Sequence, residues 1–346
     1  MFYAMIGKRF FLPVLTLASA LLVASCAADP FEGIKGDGGN IRFENEVKAM
    51  AVTRGAVTTL ATLDSYGVSA GVHEAGSTYA EGQCGNYFRD IEVLTENGET
   101  SYLWPANGYK ISFYAHAPYG NANVSLSDAS TVGRMQYTYT VPDAVASHVD
   151  FMTAEVLDVT CPSDETVSLS FRHRLSDFKF RLENSTNQDV TVNSITIKNF
   201  DHTGTLNGDT WTTTGATRDF TLAVGQELAS GSSLDLTGTS NHFILIPQTI
   251  TSGKRLLDLY VTSGGEDQHF YSDLTQDFVA EIGKSYQFTL RLSSNLEVSQ
   301  GTTIADWVLY VGYINYATGT STEDWSPEDQ PIEHVVSGIA NWQQQN

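Results

Sequence analysis

The sequence predicts an exported, all-β protein of the sandwich type, and three observations carry that expectation. From residue 40 onward apolar and polar residues alternate with a period of two, in stretches rich in Thr, Val, Tyr and Phe, the pattern of half-buried strands. Turn-forming pairs interrupt at short intervals, as in Asn97-Gly98, Asn107-Gly108, Asn207-Gly208 and Ser263-Gly264-Gly265, which spaces the strands as a sandwich requires. Finally, the chain opens with Lys8 and Arg9 followed by an apolar run from Phe10 to Val23, the layout of an export signal.

The signal ends in Val23-Ala24-Ser25-Cys26, small residues followed by a cysteine where the mature chain would begin. The apolar run is shorter than the ~20 residues a spanning helix needs. Residues 1–25 therefore read as a lipoprotein signal peptide, and the Cys26 thiol as the acceptor of a diacylglycerol anchor. Two or more acyl chains hold a protein stably on a membrane, each buried methylene adding about 0.8 kcal/mol. An ordinary cleaved signal with an incidental cysteine is the plainer alternative.

After the anchor, Gly36-Asp37-Gly38-Gly39 reads as a flexible tether. Ile41, Phe43, Val47, Ala49 and Ala51 share one parity, with Asn45 the polar interruption. Residues 41–53 are thus expected to lay one apolar face into a sandwich. Thr53-Arg54-Gly55 closes this run; an arginine in an exposed loop is accessible to proteases, though the bare dipeptide says little. Helical signals are weak, at residues 47–50 and 127–132.

Further strands are expected at Lys110-Ile111-Ser112-Phe113-Tyr114-Ala115-His116-Ala117, at Val167-Ser168-Leu169-Ser170-Phe171, and over residues 178–182, 192–197, 243–246, 257–261 and 286–292. Between the first two, residues 150–163 read as a passage between domains, because Asp158 and Cys161-Pro162-Ser163 break the alternation and proline disfavours a central strand. The acidic stretch 321–331 reads as a solvated linker. It separates a strong strand candidate at residues 308–316 from a weaker apolar run at 332–342. The expected organisation is 1–25 signal, 26–54 tether and first strand, 55–163 and 164–320 two sandwiches, and 321–346 acidic tail.

Forty acidic against nineteen basic residues give a net charge of −21, which excludes nucleic acid as a partner, since phosphate binding needs a basic surface. The eight histidines show no zinc-type spacing. His173, flanked by Arg172 and Arg174, reads as a structural imidazole bonded to a neighbouring strand. No nucleophile elbow, phosphate loop or calcium loop occurs, so neither a metal, a cofactor nor an enzyme activity is expected. Cys84 and Cys161 either pair in an oxidising compartment or stay as buried thiols.

Several segments in order resemble the fimbrillin family of type V pilus subunits. They are Leu103-Trp104-Pro105 with the Phe113-Tyr114-Ala115-His116-Ala117-Pro118 strand, Asp150-Phe151-Met152-Thr153-Ala154, and Leu169-Ser170-Phe171-Arg172-His173-Arg174-Leu175. Ile246-Pro247-Gln248, Gly283-Lys284-Ser285-Tyr286-Gln287-Phe288 and Ile304-Ala305-Asp306-Trp307 complete the series. The resemblance implies two tandem transthyretin-like β-sandwich domains, lipidation and placement in the outer membrane. It implies as partners outer-membrane lipid, an arginine-specific protease cutting at Arg54, other fimbrial subunits, and a host or bacterial surface ligand. Losing residues up to Arg54 would open a groove for a neighbour's strand, the donor being residues 308–316 (Val308, Tyr310, Ile314, Tyr316) or 332–342. The plainer role of 308–316 is to complete its own sandwich. The competing function is an outer-membrane-anchored lipoprotein that binds glycans or proteins without polymerising.

Overall fold

The structure, a computed structural model of the 346-residue chain, describes residues 34–45, 63–78, 84–128, 134–163, 165–238, 240–293, 298–306 and 343–345. Among these residues the fold is all β, with one short 3-10 turn, Val145–Ser147. The first half of the chain forms β1 (Lys35–Asn45), β2 (Ser65–Glu74), β3 (Phe88–Leu94), β4 (Glu99–Pro105), β5 (Tyr109–Ala117), β6 (Val124–Asp128), β7 (Met135–Thr140), β8 (Met152–Thr160), β9 (Val167–Leu169) and β10 (Arg172–His173). Two sheets, ordered β4-β1-β9 and β10-β8-β5-β2-β3, enclose one hydrophobic core.

Alternation explains how that core fills. Ile111, Phe113, Ala115 and Ala117 of β5 point into it with Val68 and Ala70 of β2. The opposite face of β5 is buried too: Ser112, Tyr114 and His116 are nearly inaccessible, and Tyr114 belongs to a second core. The sheet is therefore covered on both sides, although its sequence alternates as if one side were wet.

The second half forms β11 (Ser176–Asn184), β12 (Val190–Asp201), β13 (Thr203–Asn207), β14 (Thr210–Thr213), β15 (Thr217–Leu228), β16 (Ser233–Asp235), β17 (Phe243–Leu245), β18 (Gln248–Ile250), β19 (Arg255–Ser263), β20 (Glu266–Asp273), β21 (Phe278–Ala280), β22 (Lys284–Leu292), β23 (Val298–Asp306) and β24 (Gln343–Gln345). One sheet runs β16-β11-β22-β23 with β17 also on β11, and another runs β15-β12-β19-β20-β24. The second core carries a stack of Phe178 on Tyr286 (5.0 Å) and Phe180 on Phe288 (5.1 Å), set by the parallel register of β11 with β22. Gly264 and Gly265, with φ of 60° and 86°, give the two-residue β19–β20 turn the left-handed conformation it needs.

A four-stranded sheet, β14-β13-β7-β6, ties the halves together. The β6–β7 hairpin comes from the first half, yet β7 pairs with β13 from Thr140↔Thr203 to Gln136↔Asn207. Tyr137, Tyr139 and Phe151 accordingly belong to the second core.

Three expectations need correction. Gly36-Asp37-Gly38-Gly39 is part of β1, not a tether; its glycines accommodate the irregular register between Lys35↔Pro105 and Asn40↔Leu103. The first strand thus starts before residue 41, at Lys35, and the remainder of the expected stretch, 46–53, lies outside the described residues. Residues 152–160 form β8, a strand between β5 and β10, rather than a passage. Asp158 breaks the alternation because it sits in a bulge with φ 57°, and Pro162 falls after the strand has ended, where its missing N–H costs nothing. Residues 127 and 128 are strand, not helix. The chain contributes to both cores before residue 171, and from Leu175 onward its buried apolar residues belong to the second.

Candidate functional site

The element that stands out is β1. It is the middle strand of its sheet, antiparallel to β4 on one side and parallel to β9 on the other. Ile41 and Phe43 point inward, at 0% and 3% exposure. The Phe43 ring meets the Phe113 ring edge-on at 5.2 Å, and Trp104 meets the Phe113 ring at 6.0 Å. Arg42 and Glu44 point outward, Arg42 to Glu99 at 3.3 Å and Glu44 accepting from the Ser168 hydroxyl at 2.6 Å. Strand alternation thus divides β1 into a core-facing and a solvent-facing row.

Backbone contacts clasp the strand along its length. The Ala106 N–H donates to the Ile34 carbonyl (2.6 Å), the Phe43 N–H to the Gly98 carbonyl (2.9 Å), and the Thr100 hydroxyl to the Ile41 carbonyl (2.8 Å). Gly98, at φ 61°, lies so close that a Cβ there would collide with the Phe43 carbonyl oxygen. The Asn97-Gly98 turn therefore does more than reverse the chain: it seats β1.

Taking β1 away would separate β4 from β9 by the width of one strand, since neighbours in a sheet lie about 4.8 Å apart. The floor of that gap would be Phe113 of the opposite sheet, flanked by the inward side chains of Trp104 on β4 and of Val167 and Leu169 on β9, all members of the first core. Its walls would be one strand edge on each side, with unpaired N–H and C=O groups. The arrangement therefore suits an incoming extended strand with apolar residues at alternate positions.

Cys26, Arg54, Gly55 and the donor candidates Val308, Tyr310, Ile314 and Tyr316 lie outside the described residues. Arg54 nevertheless falls between the end of β1 and the start of β2, so a cut there would leave β1 joined to the later strands by contacts alone. Cys84 and Cys161 are buried thiols in different cores, not joined to each other. Burial pushes the Cys161 thiol up to about 12.

The histidines are structural in most cases. His173 Nδ1 lies 2.8 Å from the fully buried Asp150 carboxylate, as the sequence suggested for a bonded imidazole, and His242 Nδ1 lies 2.9 Å from Asp177. His116 reaches Asp90 at 2.7 Å and His73 reaches Asp158 at 3.1 Å. These pairs were not legible beforehand, because each joins residues far apart in the chain. Among the described residues no cluster of His, Cys, Asp or Glu is arranged to hold a metal.

The fold and this site define a multi-sheet β-sandwich protein in which the first strand completes a core built by later strands. The sequence matches the fimbrillin-like family over residues 53–307, and the chain belongs to that family. The match spans β2 through β23; β1 precedes it. Among solved structures, the chain is similar to a fimbrial protein of Bacteroides vulgatus, with 16% identity, a TM-score of 0.55, and coverage of 78% of this chain and 99% of that one. It is also similar to a Bacteroides ovatus protein provisionally described as a cell adhesion protein, with 16% identity, a TM-score of 0.53, and coverage of 79% and 99%. At these identities the likeness is one of fold. No curated protein sequence is significantly similar to this chain.

Proposed function

We propose that this protein is a structural or tip subunit of a surface fimbria that serves adhesion. It is exported as a lipoprotein, anchored in the outer membrane through Cys26, and assembled by strand exchange after an arginine-specific protease cuts at Arg54. The observation that carries this reading is the position of β1, a middle strand encoded ahead of the family-matched segment and separated from β2 by the stretch containing Arg54. Cutting there detaches anchor and strand together. The vacated groove then takes a strand from the C-terminal region of a neighbouring subunit, residues 308–316 by preference. Ladder hydrogen bonds supply affinity and alternate side chains supply register. Contacts of this head-to-tail kind extend into filaments when they do not close into rings.

A second reading, an anchored lipoprotein that captures a glycan or protein without polymerising, is favoured by one feature. Strand β24 pairs with the chain's own β20, from His269↔Gln345 to Tyr271↔Gln343, so residues 343–345 are paired within the same chain. Mass spectrometry of the N-terminus decides between the two readings. A chain beginning at Gly55 in sheared surface filaments is the expected result. Acylated Cys26 alone, with none of the protein in the sheared fraction, would leave the anchored binder.

A further inference from the structure

In a chain with 40 acidic and 19 basic residues, three arginines converge where the two cores meet. Arg134 precedes β7 and pairs with Glu155 of β8 at 2.9 Å. Arg174 is 7% exposed; its Nε donates to the Thr153 hydroxyl of β8 and its Nη1 to the Asp209 carboxylate at the tip of the β13–β14 hairpin. Arg172 sits on the edge strand β10, directly opposite Thr153, and is exposed. Among the described residues it makes no ion pair. Arg174 binds the Asp209 carboxylate directly, and Arg172 and Arg134 act on it by charge alone. Asp209 is held below the usual carboxylate range first by the hydrogen bond from Arg174, against the opposing effect of burial, and further by the charges of Arg174, Arg172 and Arg134.

The cluster thus already recognises a carboxylate carried on an exposed turn, and Arg172 offers a planar fork for another. We infer that Arg172, standing beside the already paired Arg134 and Arg174, is a docking point for the carboxylates of the acidic segment, residues 323–329, of a second copy of this chain. That segment carries Glu323, Asp324, Glu328 and Asp329 with no basic residue among them, and lies beyond the family-matched region. Two copies each carrying −21 repel. A contact between them is most favourable where one presents a basic point to the other's most acidic stretch, and such complementarity sets orientation more than affinity. The site is distinct from the β1 groove and does not rest on the strand-exchange reading.

The test uses the full chain in detergent and, as probe, a labelled synthetic peptide of residues 319–332, followed by fluorescence anisotropy. The expected result is saturable binding that weakens as salt is raised from 0.05 to 0.5 M, roughly the range over which exposed charges become screened. Arg172→Glu should raise Kd about tenfold, and Arg172→Gln by less. A peptide with its four acids replaced by amides should not bind. Thermal melts of both variants should match the parent, since Arg172 is exposed and makes no ion pair among the described residues. Equal binding by the amide peptide, or binding indifferent to Arg172, would overturn the proposal. If the peptide binds only after the chain's own four carboxylates are replaced, the cluster holds its own tail and the second-copy assignment fails. No binding to either form overturns it outright.

Discussion

Replacing Phe43 by alanine isolates the strength with which β1 is seated. The ring is 3% exposed and lies edge-on to Phe113 at 5.2 Å, so truncation removes a full core aromatic rather than a rim contact. Such Phe→Ala changes cost about 3–5 kcal/mol, made up of lost transfer energy and an incompletely collapsed cavity. Because the inward contacts of β1 are concentrated in Ile41 and Phe43, most of that loss should fall on local opening of β1 rather than on the second core. At about 1.4 kcal/mol per tenfold, roughly 4 kcal/mol corresponds to about a thousandfold rise in the opening equilibrium. Native-state amide exchange reads this directly. The Phe43 N–H, bonded to the Gly98 carbonyl, and the amides of β9 facing β1 should lose about three decades of protection, while β11 and β22 keep theirs. A loss under tenfold, or an equal loss in β11 and β22, would refute the idea that β1 is seated by its own pocket.

Three further outcomes are expected. Gly98→Ala places a Cβ against the Phe43 carbonyl at φ 61° and should destabilise by about 2 kcal/mol or more, whereas Gly253→Ala, at φ 80° with open space around it, should cost about 1 kcal/mol. Denaturant titrations in which the two variants behave alike would remove the steric argument. His148, buried with Nε2 donating to the Pro142 carbonyl and Nδ1 accepting from the Ile244 N–H, both at 3.0 Å, is pushed down to about 4 by burial. Its folded value lies below the ordinary one, so its contribution is fully present above pH 6.5 and is lost as pH falls through 4, about 3 kcal/mol by that point. The stability gap between parent and His148→Gln should narrow by that amount between pH 7.5 and 4; a gap constant with pH would show that the imidazole is not held neutral. Cys84 and Cys161 should resist alkylation in the folded chain and both react in denaturant without reductant. Protection that persists in denaturant would mean a disulfide.

Much of the strand content could be read from the sequence because its causes are local. The alternation in Lys110-Ile111-Ser112-Phe113 became β5, and residues 178–182, 192–197, 257–261 and 286–292 lie within β11, β12, β19 and β22. All four turn pairs became turns for the same reason, Asn207-Gly208 and Gly264-Gly265 within hairpins and Asn97-Gly98 and Asn107-Gly108 where the chain passes between sheets: left-handed backbone is a property of the residue that adopts it. At β1 and β8 local composition conflicts with an available strand partner. A glycine run reads as tether until a neighbouring strand such as β4 supplies a ladder, and Asp158 reads as a break until Ser112 accepts its N–H at 2.9 Å and seats the bulge.

By itself, then, the sequence determined the all-β class, the order and approximate limits of most strands, and a family resemblance carried by short motifs. Tertiary structure alone decided that β1 lies between β4 and β9, that the β6–β7 hairpin crosses to β13, and that β11 and β22 run parallel. It also decided that Arg134, Arg172 and Arg174 gather around Asp209. The division has a physical reason. Alternation and turn chemistry are set by residues within a few positions of one another, whereas strand partners are chosen by which apolar faces close a shared core, a condition satisfied only by the chain as a whole.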